Sequence, residues 1–300
     1  MSLARKGLTD QASGILLLLA SILLFTLMDA TAKHLTGRYP PLQIVFVRLV
    51  INLALVLIVL GPRLPRHLRS NQPGAQIARG FFQVATVTLF FTSLGYIGLA
   101  EATAIIDINP VLITLFAALF LGERIGPRRI IGIAVALLGA MMIIRPGAGV
   151  LHPAAVLPLI GAFAYAGGAV LTRMVRSDST ATSILWSTTT ATLLASLAMP
   201  FVWQPIAAAD AWAFALIGLF GTVAQALLIK AFSLAEAAAV APFGYTGLIW
   251  AGLWGWLFWG AVPDGWSLAG AAVIVAAGLY VWSREARDTA RAAKAARGRA

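Results

Sequence analysis

The sequence predicts an all-α membrane protein with ten transmembrane helices, arranged as two inverted five-helix repeats around a central cavity. Three observations support this fold class: an apolar composition, ten apolar runs of about bilayer length, and a weak match between the two halves of the chain. Of the 300 residues, 60% are hydrophobic and 11% are charged, and the mean hydropathy is +0.89. A soluble chain carries about 25% charged residues. The lipid bilayer is therefore an expected partner.

The apolar runs are separated by proline, glycine or clusters of charge, and most are close to the roughly 20 residues that a spanning helix needs. The first run lacks a small-residue cleavage site after a short core, so it predicts a retained helix rather than a signal peptide. The predicted spans are 14–33, 42–60, 76–97, 102–121, 130–144, 154–174, 180–201, 211–232, 237–259 and 266–283.

The distribution of positive charge predicts the orientation. With both termini in the cytoplasm, 18 of the 22 lysine and arginine residues lie on the inner side. Basic residues collect in the cytoplasmic links of membrane proteins, so the net charge of +11 does not require nucleic acid as a partner. The predicted location is a bacterial-type inner membrane, with residues 1–13 and a basic tail, 284–300, in the cytoplasm. The tail is interpreted as solvated or as a helix lying on anionic headgroups.

An internal repeat links the two halves. The segment "AEATAIIDINPVLITLFAALFLGERIG" (100–126) has a counterpart in "AEAAAVAPFGYTGLIWAGLWGWLFWG" (235–260), and both begin with Ala-Glu-Ala. Gly122 and Gly132 match Gly260 and Gly270 at one constant offset. The repeats are predicted over 14–146 and 154–283. Because five is an odd number of spans, the second copy must be inverted, which is typical of secondary transporters.

These features resemble the EamA-type transporters of the drug/metabolite transporter superfamily. The resemblance is carried by the ten spans, the repeat, the "EATAII...P...LFAALFLGERIG" segment and the ending "GAVPDGWSLAGAAVIVAAGLYV". It implies a transporter without a cofactor, often with proton coupling or exchange. Within the superfamily, "LMDATAKHL", "AVAPFGYTGLIW" and "VPDGWSLAGA" look most similar to uptake carriers for riboflavin or S-adenosylmethionine.

Three ionisable residues are predicted to share one level in the outer half of the membrane. Asp29 lies about 6 Å from the outer end of the first span, and Arg48 and Asp107 lie about 9 Å inside the second and fourth. Each such residue costs at least about 2.5 kcal/mol near the bilayer centre, which favours a functional role. In one interpretation, Arg48 holds a polar or anionic part of the substrate while Asp29 or Asp107 exchanges a proton. In the other, Arg48 only pairs with an acid to join helices, or reaches to the surface.

Asn109 and Pro110 indicate a broken helix beside Asp107. Pro110 has no amide hydrogen, so it displaces the helical bond to the carbonyl of Ile106. A freed carbonyl in a membrane must face protein or water. Pro242 occupies a similar position in the second repeat, and two interrupted helices in matching positions point to a binding site. The alternative is that both prolines only kink tightly packed helices.

The second half offers aromatic candidates, because it holds all nine tryptophans. Tyr245 and Trp250, if opposite Asp107, would suit a flat heteroaromatic solute that stacks on the rings. An aromatic stripe on a helix is also ordinary packing.

Four further residues complete the set of candidates. Gln83 and Gln225 are candidate substrate contacts in the third and eighth spans. Glu123 and Arg124, at the inner end of the fourth span, are expected to form a gating or structural ion pair.

The expected function is secondary transport of a small polar or heteroaromatic metabolite by alternating access. Riboflavin uptake is the first candidate, S-adenosylmethionine uptake the second, and export of amino acids or drugs the third. A non-transporting scaffold or an intramembrane enzyme is the competing class. The sequence shows no nucleophile–base pair or metal-ligand cluster, so no enzyme activity, metal or cofactor is expected. The other expected partners are the solute and protons as a candidate coupling ion, in a monomer or a homodimer.

Overall fold

A computed structural model describes residues 2–122, 127–145, 152–175, 177–235 and 241–297. Within these ranges only the backbone is described for residues 2–11, 127–129, 241–242, 282 and 284–297. Helices account for most of the described chain. They are α1 (Ser2–Thr36), α2 (Pro41–Leu60), α3 (Leu64–His67), α4 (Pro73–Leu94), α5 (Leu99–Ile106), α6 (Asn109–Leu121), α7 (Pro127–Ile144), α8 (Val156–Met174), α9 (Thr180–Ser196), α10 (Met199–Val202), α11 (Ala211–Leu234), α12 (Thr246–Trp259) and α13 (Gly265–Arg297). Short 3-10 helices occupy Gly61–Arg63, Pro153–Ala155, Ala208–Asp210 and Ala241–Tyr245.

The predicted all-α membrane fold is confirmed. Six segments of the described chain are long and apolar enough to cross a membrane, judged by length and composition. They are Ala12–Thr36, Pro41–His67, Pro73–Leu94, Leu99–Leu121, Pro153–Met174 and Ala208–Leu234. Shorter apolar helices at Ile130–Ile144 and Gly265–Val281 match the predicted fifth and tenth spans. Helices α9 and α12 match the seventh and ninth.

Helices from opposite repeats pack against each other throughout the bundle. The most extensive contacts join α1 to α11, α4 to α8 and α7 to α13, and α5 also packs on α12. In span numbers these pairs are 1 with 8, 3 with 6, 5 with 10 and 4 with 9. The repeat relates each span of the first half to the span five places later. It therefore converts the pair 1 with 8 into the pair 6 with 3, and it maps the pairs 5 with 10 and 4 with 9 onto themselves, as expected for a pseudo-two-fold arrangement. The interface between repeats therefore runs through the middle of the bundle.

The backbone repeats the pattern seen in the sequence. Helices α6 and α12 both end at a glycine in the left-handed region, with φ of 70° at Gly122 and 62° at Gly260. A residue with a side chain would be strained in this backbone conformation, which explains why both copies carry glycine. Where α7 crosses α13, a Cβ added at Gly139 would lie 2.9 Å from the carbonyl oxygen of Gly270. Small residues let these two helices approach closely, as is common in membranes.

The last helix is longer than the membrane is thick. Helix α13 continues without interruption for 33 residues, so residues 284–297 of the basic tail extend the tenth span as a helix. At 1.5 Å per residue its length is about 50 Å, against roughly 30 Å of hydrocarbon.

Candidate functional site

The fourth span is interrupted where the sequence places a proline. Helix α5 ends at Ile106, the next two residues form a turn, and α6 begins at Asn109 with Pro110 in its first turn. The amide of Asp107 still donates to the carbonyl of Thr103, at 3.0 Å. The amide of Val111 donates to Ile108, at 3.0 Å, instead of to the carbonyl four residues earlier. The helical ladder is thus broken around Asp107.

The ninth span also begins irregularly. Its first described turn is the 3-10 helix Ala241–Tyr245, which leads into α12 at Thr246. The backbone of Pro242 lies in this turn, and its side chain lies outside the described residues. Tyr245 ends this 3-10 helix and lies within electrostatic range of Asp107, so the two interruptions lie near each other between the repeats.

Asp29 links the three ionisable residues of the prediction. Asp29 of α1 lies within electrostatic range of Arg48 in α2 and of Asp107 in the turn between α5 and α6. All three side chains are half-buried. Among the described residues, none of the three forms a direct ion pair or a hydrogen bond through its side chain. Each of these side chains is therefore free to bind another group.

Arg48 is placed by contacts from both repeats. Its guanidinium carbon lies 5.9 Å from the ring centroid of Phe91 in α4, within the range of a cation–π interaction. On the other side it packs against Gly221 of α11, where an added Cβ would lie 3.1 Å from Nε of the arginine. The absence of a side chain at Gly221 therefore makes room for the guanidinium at the interface between repeats.

Several buried oxygens around the broken helix lack hydrogen-bond partners in the described chain. They are Oδ2 of Asp107, Oδ1 of Asn109, Oη of Tyr245 and Oγ1 of Thr103. Tyr245 also lies close enough to Asp107 to interact electrostatically. A buried polar group without a partner costs about 1–3 kcal/mol. Such a cluster beside a free carboxylate is suited to a proton, water or a cationic group.

The aromatic side chains of α12 stack on one another along the helix. Trp250 stacks on Trp254, with centroids 6.0 Å apart and 18° between planes, and Trp254 stacks on Phe258 at 5.9 Å. The indole N–H of Trp254 donates to Oγ1 of Thr26 in α1, at 3.1 Å. Trp254 therefore packs between helices. Trp250 is half-buried at the end of the column nearer to Tyr245, and its role as a substrate contact stays a prediction.

The remaining candidates are more dispersed. Gln225 lies one turn beyond Gly221 on α11 and is exposed, whereas Gln83 on α4 is half-buried. Glu123 and Arg124 lie outside the described residues, so their ion pair stays a prediction.

Sequence reasoning missed two polar contacts near Arg48. One turn further along α2, Asn52 donates to Oγ1 of Thr222 in α11 at 3.1 Å and accepts from Thr188 in α9 at 3.5 Å. The sequence does contain a signal for this contact, because Asn52 is a polar residue inside the second span, four residues after Arg48 and so on the same face of the helix. Elsewhere on α1, the ammonium of Lys33 donates to the carbonyls of Leu94 and Ile97 at 2.7 and 2.6 Å.

Two large grooves lie elsewhere. They have volumes of about 710 and 690 Å³, their walls are largely apolar, and neither includes Asp29, Arg48 or Asp107. The charged cluster is thus distinct from the grooves on the sides of the bundle.

Comparison with known proteins decides the family. The EamA-like transporter family matches residues 12–145 and again 152–283. The chain belongs to this family. The EamA-like protein is 32% identical to the pseudopaline exporter CntI of Pseudomonas aeruginosa, over 88% of this chain and 94% of the relative. It is 27% identical to a riboflavin transporter of Vibrio cholerae, over 93% of this chain and 95% of that one.

Other similarities agree with the fold and with membership of the drug/metabolite transporter superfamily. A riboflavin transporter of Rhizobium johnstonii is 32% identical over 73% of this chain and 74% of its own. An S-adenosylmethionine uptake transporter of Rickettsia bellii is 23% identical over 92% of this chain and 95% of its own. A solved crystal structure with 22% identity superposes with a TM-score of 0.60, over 90% of this chain and 96% of that one, which shows the fold alone.

The two repeats of this EamA-like transporter are joined by an aspartate at each end of the bundle. At one end, Asp210 accepts from Arg38 at 3.0 Å and from Tyr39 at 2.9 Å, joining the link between spans 7 and 8 to that between spans 1 and 2. At the other end, Asp178 accepts from Ser70 and Gln76, joining the link between spans 6 and 7 to the segment after span 2. The repeat relates these two pairs of links, so they are equivalent contacts on opposite faces.

We expect these contacts to act as opposing latches. Asp178→Asn should favour opening of its end of the bundle, and Asp210→Asn should favour opening of the other end. The measurement is the reactivity of a single cysteine at position 109 with an impermeant thiol reagent added from either side. Each variant should raise labelling several-fold from its own side only, so each serves as the control for the other. Equal changes from both sides would contradict the latch interpretation.

Acidity should not release the latch at Asp178. Hydrogen bonds from Ser70 and Asn71 lower the pKa of Asp178 to about 2. A carboxyl whose folded-state pKa is depressed stabilises the structure above its unfolded pKa and loses that effect as pH falls through the folded value. Between pH 5 and 8, Asp178 therefore stays charged, and pH-dependent transport in that range must arise elsewhere.

Proposed function

We propose that this EamA-like protein is a secondary transporter that binds a small zwitterionic metabolite between its repeats and exposes it to each side in turn. The observation that carries the proposal is the cluster of Asp29, Arg48 and Asp107. These charges converge from three helices without direct pairing, beside buried oxygens that lack partners. The location that fits is a bacterial inner membrane with both termini in the cytoplasm. No enzymatic role is proposed.

The charges suit an amino-acid group. Arg48 would bind the substrate carboxylate, because a guanidinium forms two parallel hydrogen bonds with a carboxylate. Asp107, with the oxygens of Asn109 and Tyr245, would bind the ammonium group or a proton. Asp29 interacts electrostatically with both Arg48 and Asp107, and it would balance Arg48 when the substrate is absent. S-adenosylmethionine contains such a zwitterionic amino-acid group, together with a positively charged sulfonium and an adenine ring that Trp250 could stack on.

Riboflavin uptake is the second candidate. It is supported by the relatives named riboflavin transporters and by the half-buried ring of Trp250. A neutral flavin would use the aromatic face and hydrogen bonds. It would leave Arg48 without an anionic partner from the substrate, which is why the charged cluster favours the zwitterion.

Counterflow in reconstituted vesicles separates these candidates. Vesicles are loaded with unlabelled S-adenosylmethionine, a mixture of amino acids, or riboflavin, and the same solute is added outside at trace level with a label. Transient accumulation of a zwitterion, but not of riboflavin, is expected. Accumulation of riboflavin alone would favour the second candidate. No exchange of any solute, in protein that remains monodisperse and folded, would favour the scaffold.

Two ring substitutions test the aromatic face. Trp250→Ala should raise the concentration of a heteroaromatic solute that gives half-maximal transport by about tenfold, since stacking on an aromatic ring is worth about 1 kcal/mol or more. Trp254→Phe is the matched control, because Trp254 is a packing residue bonded to Thr26. The control should lower thermal stability with little change in half-saturation. If the concentration for half-maximal transport does not change in Trp250→Ala, the ring of Trp250 is a packing residue and not a substrate contact.

A further inference from the structure

An apolar groove lies on the side of the bundle, away from the charged cluster. Its volume is about 690 Å³ and it is bounded by α2, α4, α9 and the segment around α3. Leu57 and Leu68 line it together with Trp186 and Leu193. Leu68 and Leu193 are 54% and 62% exposed, so the groove opens outward to where lipid chains lie. A concave apolar surface of this size fits a hydrocarbon chain.

The short segment that lines part of the groove is positively charged. Arg63, Arg66 and Arg69 belong to the same short segment that contributes Leu64 and Leu68 to the groove, and all three arginines are exposed. Among the described residues none of the three forms an ion pair. The nearby carboxylate, Asp178, is engaged instead by Ser70, Asn71 and Gln76.

The segment is held against the groove. The indole N–H of Trp186 in α9 donates to the carbonyl of Leu68, at 3.1 Å. This bond holds the arginine-containing segment against the groove. A tryptophan at this level is typical of the boundary between hydrocarbon and headgroups.

We propose that this groove binds an anionic phospholipid, with an acyl chain against the leucines and the headgroup phosphate among the three arginines. Charge complementarity identifies the occupant, because exposed arginines in a segment that lines an apolar groove match a negative headgroup attached to a hydrocarbon chain. The groove lies between α2 and α9, two helices of opposite repeats that also contact each other. The lipid would therefore bridge the repeats on the face that charge counting predicts to be cytoplasmic. This proposal does not depend on the transported substrate.

The test uses the full chain purified in mild detergent and measures lipid binding by native mass spectrometry and thermal stability. The probes are phosphatidylglycerol and phosphatidylcholine with identical acyl chains. Phosphatidylglycerol should bind more tightly and raise the unfolding temperature more. The triple variant Arg63→Gln, Arg66→Gln, Arg69→Gln should bind it roughly a hundredfold more weakly, since each arginine near an anionic surface is worth about 1 kcal/mol.

Two control variants keep the proposal falsifiable. Removing three arginines from the tail, with Arg284→Gln, Arg287→Gln and Arg291→Gln, deletes the same charge elsewhere and should leave binding unchanged. Leu57→Trp, which fills the groove but keeps its arginines, should weaken binding of phosphatidylglycerol. Equal binding of both lipids to the native protein would overturn the proposal. A loss of binding in the tail variant that matches the triple variant would also overturn it. If the triple variant does not fold, the Leu57→Trp result decides.

Discussion

Arg48→Gln is expected to abolish counterflow, with a loss of at least about a hundredfold in apparent affinity. The substitution removes the guanidinium that would bind the substrate carboxylate, and truncating one member of a buried charge pair costs about 3–5 kcal/mol. Arg48→Lys keeps the charge but loses the planar fork, so transport should fall by about tenfold and not vanish. The measurement is initial counterflow as a function of solute concentration in vesicles with equal amounts of folded protein.

A double substitution separates the two roles of Arg48. If the arginine only neutralises Asp29, then Asp29→Asn combined with Arg48→Gln removes both charges and should restore transport. If Arg48 binds the substrate, the double variant should recover thermal stability but not transport. Recovery of both properties would contradict the role that the site geometry supports.

Asp107→Asn is expected to remove the pH dependence of transport and to reduce transport driven by a pH gradient at least tenfold. Asparagine has the shape of aspartate but neither its charge nor its exchangeable proton. The loss of a charged partner for the substrate ammonium should also raise half-saturation by about tenfold, because a hydrogen bond to a charged group is worth about 1.5–3 kcal/mol. The measurement is uptake at a series of external pH values, with and without an imposed gradient.

The matched control for Asp107 is Glu101→Gln. Glu101 lies in the first turn of the same span, is half-buried, and interacts with Lys33 outside the cluster of three charges. Its substitution should leave the pH profile of transport unchanged. If the Asp107 variant retains the native profile at every external pH, the acid is structural.

Much of the fold follows from patterns that are local in the sequence. The apolar runs predict the spans, and the matching glycines predict the two left-handed helix ends at Gly122 and Gly260. The interruption at Asp107 follows from a proline that cannot donate a hydrogen bond. The similar depth of Asp29, Arg48 and Asp107 follows because each lies a similar number of residues from the outer end of its span.

Contacts that depend on which helices meet could not be predicted from one sequence. Lys33 has Asp29 four residues earlier on its own helix, yet it bonds the carbonyls that end α4 and precede α5. Trp254 lies one turn beyond the stacking candidate Trp250, and its N–H donates to Thr26 of α1. Both outcomes depend on the pairing of helices across repeats, which local periodicity does not encode. The same holds for Asp178, whose partners lie about a hundred residues away in the chain.

The central claim is that the two repeats enclose a site that water can reach and a substrate occupies, with the broken helix at Asp107 in its wall. The chain contains no cysteine, so a single substitution gives a unique label. Asn109→Cys should react with a charged, water-soluble thiol reagent, and the counterflow substrate should slow that reaction. Phe120→Cys, at a position 67% exposed on the same span, is the control and should be unaffected by the substrate. A cysteine at position 109 that reacts only with apolar reagents, or equally fast with and without substrate, would contradict this account.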